Sequence, residues 1–176
     1  MDIDMDICQL GNIGLRQIAQ PVENVRDRAV QDLIDRLIET LKVKKGVGIA
    51  APQVGQSLRL IIVASHPNDR YPHAPRMAPT AMINPRIVSH SEQVEKGWEG
   101  CLSVPGIRGL VPRYQAIEVE YCDRDGNLET TTFTDFVARI FQHEYDHLEG
   151  KVFLDRVESS LELISEAEYL KLMAAK

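Results

Sequence analysis

The residues from Gln142 to Gly150, Gln-His-Glu-Tyr-Asp-His-Leu-Glu-Gly, constrain the fold more than any other stretch of the chain. On a helix, His143 and His147 stand one turn apart on the same face, with Glu144 beside them. This is the H-E-x-x-H arrangement, in which two imidazoles hold a divalent metal and the glutamate handles the protons of an activated water. A helix with two half-buried histidines is the competing account. The choice between them turns on what the rest of the chain supplies.

From Asn24 to Leu41, apolar residues at Val30, Leu33, Ile34, Leu37, Ile38 and Leu41 keep helical period, which predicts an amphipathic helix packed on a core. Lys42 to Lys45 and then Gly46 suit its C-terminal end. Arg59–Ala64 and Ala81–Val88 read as strands, and the proline-rich segment Ser65–Pro79 between them reads as a surface loop. The loop histidines, His66 and His73, are assigned no role. Ile117, Val119 and Tyr121 alternate with Glu118, Glu120 and Cys122, and after an Asp-Arg-Asp-Gly-Asn turn the chain returns through Leu128–Thr134, which predicts a hairpin. Cys122 lies on the polar register of that hairpin and reads as inert.

Asp135 is expected to cap the next helix, where Phe136, Ile140, His143 and His147 share an inward stripe and Gly150 supplies the exit. Ser165 and Glu168 predict a capping box for a short last helix. The expected architecture is α+β: mainly antiparallel sheets around a central helix carrying the motif, with further helices near both ends, in one domain over residues 1–176.

Cys8, Cys101 and Cys122 are an odd number of cysteines at irregular spacing, which fits a reducing compartment better than a disulfide framework. The net charge of −6 offers no electrostatic footprint for nucleic acid or an anionic membrane. No apolar run reaches membrane-spanning length, and the acidic start Met-Asp-Ile-Asp lacks the features of a signal peptide. The expected location is cytoplasmic.

A catalytic site of this type needs three protein ligands and one open position. Cys101, in the stretch Trp98 to Gly106, is one candidate, because a rigidly held thiolate binds a divalent cation strongly. A buried free cysteine would look the same. Glu166 or Glu168 is a second candidate and would make the chain an H-E-x-x-H peptidase, although the predicted capping box already accounts for these acids. Cys101 and Cys122 together with both histidines would make a closed structural zinc site in a binding module, at a cysteine spacing far wider than usual.

Two further stretches bear on this choice. Gly46-Val47-Gly48-Ile49-Ala50-Ala51-Pro52-Gln53 precedes Glu99-Gly100-Cys101-Leu102-Ser103, which precedes the helix motif. In that order and spacing, the three blocks closely resemble the signature motifs of peptide deformylases, over Gly46 to Gly150. The resemblance implies an enzyme that removes the formyl group from the N-terminal methionine of newly made proteins and releases formate. It implies Cys101, His143 and His147 as metal ligands, Glu144 as catalytic acid/base, and the Gln53 side chain with the Leu102 backbone N–H as donors to the developing oxyanion.

It also implies one divalent metal per chain, ferrous iron in the working enzyme, with zinc (Zn2+) or nickel (Ni2+) often found after purification. Substrate contacts are expected from the backbone around Gly48, Ile49 and Gly100, from Arg108, and from Phe136 and Ile140 as walls of a methionine pocket. Arg139 departs from the aliphatic residue of many bacterial members, in the manner of another branch of the family. The expected partners are N-formyl-methionyl nascent polypeptides. Some relatives place a longer, basic C-terminal helix near the ribosome; four acidic residues between Glu158 and Glu168 argue against carrying that docking over.

Overall fold

The computed structural model describes residues 5–176; the first four residues, part of the acidic start, lie outside the described residues. The first helix, α1 (Arg28–Val43), begins where Asp27 accepts a hydrogen bond from the Ala29 N–H at 3.0 Å. It buries Val30, Leu33, Ile34, Leu37 and Leu41, the stripe that the periodicity predicts. Its exit differs from expectation. Lys45, not Gly46, takes the left-handed conformation (φ 53), and the Gly46 N–H then closes back on the Leu41 carbonyl at 3.0 Å.

Five strands form one sheet, in the order β1 (Gly48–Ala50), β2 (Leu60–Ser65), β3 (Met77–His90), β6 (Ala116–Cys122) and β7 (Leu128–Thr134), all antiparallel. β2 is buried along its whole length, as its continuous apolar run demands. The β6–β7 hairpin has the predicted bounds to within one residue. β3 is longer than predicted at both ends, and its ladder shifts between Ile83 and Arg86. There Asn84 adopts φ 50, and its side-chain amide exchanges two hydrogen bonds with the backbone of Val22, at 2.8 and 2.9 Å.

A second, three-stranded sheet, β4 (Val94–Cys101), β5 (Val104–Tyr114) and β8 (Leu163–Ser165), was not foreseen. Helix α2 (Asp135–Leu148) packs on β1 and β2 of the first sheet and on β5 of the second, so it is central in the sense expected. The expectation for Asp135 needs correction. Thr134 occupies the capping position, and Asp135 is the first helical residue, at φ 52, with its N–H donating to the Gln115 carbonyl. The last helix, α3 (Glu166–Ala174), has the Ser165 half of the predicted capping box, with Ser165 Oγ accepting from the Glu168 N–H at 3.2 Å, while the Glu168 carboxylate turns to Lys171 instead of closing the box. Among the described residues, no helix is long and apolar enough to cross a membrane.

Candidate metal centre and cleft

The motif residues of α2 face inward, and Glu144, His143 and His147 are all buried. Glu144 lies flat against β1: a Cβ on Gly48 would come within 2.5 Å of its Oε1, so only glycine admits the carboxylate there. Cys101, the last residue of β4, brings Sγ to 3.3 Å from His147 Nε2. One ligand atom from each of Cys101, His143 and His147 lies within 4.8 Å of the others, and no further group of three or more possible ligands occurs among the described residues. Glu166 is elsewhere, with its carboxylate on Arg108 at 2.6 and 3.4 Å. Cys122 packs against the hydrophobic cluster beneath α1. Neither alternative ligand joins the centre.

Behind the histidines stands a residue that the sequence reading did not single out. Glu99 is buried and accepts from His143 Nδ1 at 2.8 Å, from Arg113 Nε and Nη2 at 2.9 Å each, and from Arg139 Nη1 at 2.8 Å. Arg113 reaches on to Asp146 at 2.7 Å, and Asp146 to Arg156 at 2.8 Å. The β4–β5 ladder shifts between Glu99 and Cys101, so simple strand alternation from Cys101 does not predict where Glu99 points. The donor set fits a divalent metal. With Nδ1–H of His143 donating to Glu99, its Nε2 is left available to a metal, the arrangement by which a carboxylate fixes a metal-binding imidazole. Arg139 has a role in the same network, donating also to the carbonyls of Val111 and Glu95 at 2.7 and 2.8 Å.

Burial opposes a charged Glu99, yet Arg113 and the hydrogen bond from His143 hold its carboxyl well below the usual range. Burial likewise opposes ionisation of Cys101, but the His147 charge and hydrogen bonds from both histidines hold its thiol well below the ordinary value. His143 moves the other way: its hydrogen bonds to Cys101 and Glu99 outweigh burial and carry it well above the usual imidazole range. A metal bound to this set would compete with protons for the same donor atoms. Glu144 is pushed up to about 7 by burial, against the lowering influence of His143 and His147 and with the help of Cys101 and Glu99. Its Oε2 is buried without a hydrogen-bond partner.

These groups open on a cleft of about 470 Å3. Gln53, Leu102, Gly48, Gly100, Arg108, Phe136 and Ile140 all line it, together with Cys101, His143 and Glu144. Gln53 is locked by its own turn, with Oε1 accepting from the Ala50 N–H at 2.9 Å; its Nε2 donates to Ser103 Oγ at 3.2 Å and points to Cys101 Sγ at 3.5 Å. Ile49 stands apart, its side chain fully buried in the core. β1 is an edge strand: Val47 bonds to Ala64 on β2, so alternation turns the N–H and C=O of Gly48 toward the open side.

A half-buried cysteine and two histidines at a strand end and on a helix, with a raised carboxyl beside them, define a metal-dependent hydrolase. The polypeptide deformylase family profile matches residues 4–162. Peptide deformylase 2 of Nostoc sp. is 67% identical over 169 residues, covering 96% of this chain and 94% of that protein. Peptide deformylase 1 of Bordetella pertussis is 44% identical over 151 residues, 86% of each. Among solved structures, the Met-Ala-Ser-bound class I type b peptide deformylase of Acinetobacter baumannii superposes with a TM-score of 0.87 at 43% identity, over 89% of this chain and 100% of that one. The actinonin complex of the Synechococcus elongatus enzyme gives 0.81 at 35% identity, over 97% and 86%. The chain belongs to the polypeptide deformylase family: it is a metal-dependent hydrolase that removes the N-formyl group from newly made proteins.

Proposed function

We propose that the cleft carries out this hydrolysis through Cys101, His143 and His147 as the metal ligands, Glu144 as acid/base, and Gln53 with the Leu102 N–H as donors to the formyl oxygen. The observation that carries this reading is the convergence of the three ligand atoms within 4.8 Å beside the buried, partnerless Oε2 of Glu144. A divalent metal on these ligands would supply Lewis acidity and lower the pKa of a water from about 15.7 toward about 7. Glu144 takes the proton of the attacking water and later delivers it to the departing amine nitrogen. A carboxyl pushed up to about 7 suits both duties near neutral pH. As water adds to the formyl carbon, negative charge grows on the formyl oxygen. Gln53 Nε2 and the Leu102 N–H would meet it there, each such donor being worth about 3–4 kcal/mol of barrier in comparable sites.

The substrate is a formyl-methionyl chain in extended form. Gly48 on the open edge of β1 accepts its backbone by strand addition, with Ile49 holding β1 in place from the core and Gly100 lining the opposite side of the cleft. Phe136 and Ile140 wall the methionine pocket, and Arg108 borders it. The Met-Ala-Ser complex of the Acinetobacter relative supports reading this cleft as the peptide site. Ferrous iron is the proposed working metal; zinc and nickel are compatible with the same donors. The proposed setting is the cytoplasm, on nascent chains, with no docking role for the acidic C-terminal segment. Its glutamates are engaged within the chain: Glu158 and Glu162 by Lys96, Glu166 by Arg108 and Glu168 by Lys171.

The test is formate release from formyl-Met-Ala-Ser by protein purified without oxygen and loaded with ferrous iron. Release that vanishes in Glu144→Ala at unchanged metal content is the expected result. Release that persists in Glu144→Ala would remove Glu144 from the mechanism.

A further inference from the structure

Arg108 is only 3% exposed, which is unusual for an arginine bordering a ligand cleft. Its guanidinium is fully engaged by side chains from two distant parts of the chain. Nε and Nη2 donate to Glu166 at the start of α3, Nη1 donates to Tyr71 Oη at 2.7 Å, and the plane lies over the Tyr169 ring at 4.8 Å. Gly100 is shaped to this group, since a Cβ there would sit 2.7 Å from Arg108 Cζ. The Tyr169 hydroxyl donates to the Arg70 carbonyl at 2.8 Å. Helix α3 thus holds residues 70 and 71 of the loop between β2 and β3 from both sides.

The held residue faces the reaction. The Tyr71 ring packs on Phe136 with centroids 4.6 Å apart, and both line the cleft. Phe136 lies seven residues before His143, about 10 Å along α2, with Ile140 about 4.5 Å along the same path. A methionine whose formyl carbon sits at the metal centre would extend its thioether roughly 6 Å, past Ile140, leaving the Phe136–Tyr71 pair within the roughly 5 Å at which sulfur packs on aromatic rings. Thioether sulfur packs favourably against aromatic rings, and the match is one of chemistry as well as length.

We infer that Tyr71, together with Phe136, recognises the methionine thioether, and that Arg108, Glu166 and Tyr169 are positioning residues that fix the Tyr71 ring. The inference rests on the peptide-site reading above and deepens it. It gives Arg108 a structural use for its charge in place of a direct call on the substrate.

The experiment compares formyl-Met-Ala-Ser with its norleucine counterpart, in which a methylene replaces the sulfur, on iron-loaded protein. Tyr71→Ala should lower the methionine-over-norleucine preference in kcat/KM by about two- to tenfold. It should also raise KM for the methionine peptide at least about fivefold, with kcat nearly unchanged. Tyr71→Phe keeps the ring, so it should keep the preference while losing part of the KM. Glu166→Ala and Tyr169→Phe should raise KM in the parent protein and have no further effect in the Tyr71→Ala background. An unchanged preference in Tyr71→Ala would overturn the recognition role, and equal KM effects in both backgrounds would overturn the positioning role. Calorimetric binding of the products Met-Ala-Ser and norleucyl-Ala-Ser reads the same contrasts without turnover. A protein that binds both with the Tyr71 dependence but releases no formate would fault the catalytic assignment and leave this inference standing.

Discussion

The two sides of the Cys101–His143–His147 centre are built on opposite rules. On the side behind the histidines, Glu99, Arg113 and Asp146 form a chain of buried ion pairs that ends on the exposed Arg156, and each carboxylate has two or more donors. On the cleft side, Glu144 Oε2 is buried with no donor at all. A saturated network holds its members still and resists titration, whereas a bare buried carboxyl is pushed up to about 7, where it can gain or lose a proton. The contrast matches the proposed division between groups that orient and a group that reacts.

Substitutions should sort along that line. The largest effect is expected at the boundary itself: His143→Ala should lose both bound metal and activity, measured by metal analysis beside formate release. Full metal occupancy in that variant would dissolve the distinction. On the cleft side, Glu144→Gln should lower kcat by about 10^2- to 10^4-fold while metal content and thermal midpoint stay near those of the parent. Gln53→Ala should cost about 10^2- to 10^3-fold in kcat with the metal retained. On the saturated side the signature reverses. Glu99→Gln should weaken metal affinity by about 10- to 100-fold, with a fall in stability read by denaturant titration. A Glu99→Gln protein with normal metal affinity and stability but impaired kcat would place Glu99 among the reacting groups.

The cleft side was the more legible in the sequence, and the reason is physical. The residues proposed to react form short-range patterns: His143, Glu144 and His147 span about one helical turn, and Gln53 stands five residues beyond Gly48. Orienting residues are scattered, and Glu99 meets Arg113, Arg139 and His143 only once two strands and a helix have been assembled. The sheet that carries them was itself obscured. β4 and β5 contain Gly97, Gly100, Gly106, Gly109, Pro105 and Pro112, which weaken any strand signal, and β5 buries Arg108 and Arg113 where alternation leads one to expect apolar side chains. By contrast the β6–β7 hairpin, whose apolar period is uninterrupted, has nearly the predicted bounds, and α1 keeps its predicted apolar stripe although it begins at Arg28 and not at Asn24. The Asp135 cap failed because Thr134 already ends β7 in an extended conformation and takes the capping position.

The smallest expected effect lies farther out, where the same contrast fades into solvent. Asp155 pairs with Arg16 and accepts from the Val152 N–H at 2.8 Å. Burial is the largest single influence and raises its carboxyl, but the hydrogen bonds from Arg16 and Val152 and the Arg16 charge together outweigh it and hold the group below its ordinary value of 3.8. Because the folded-state value is the lower one, the contribution to stability is present above about pH 4 and is lost as pH falls through that lower value. The stability difference between the parent and Asp155→Asn should be about 0.2–1 kcal/mol near neutrality and shrink on acidification, since both partners are partly exposed. A difference that grew toward low pH would show that Asp155 acts as a neutral hydrogen-bonding group.

The brevity of β1 has a consequence for how much of a polypeptide this enzyme can read. Of its three residues, only Gly48 directs both backbone groups to the open side before the Ala50 N–H is claimed by Gln53. A guest strand docking as proposed would find a single station there and then leave the sheet. Such a surface measures the first steps of a chain and is indifferent to the rest, which suits a catalyst whose clients share one residue and little else. It also offers too short a template for two copies of the protein to zip together through their edges.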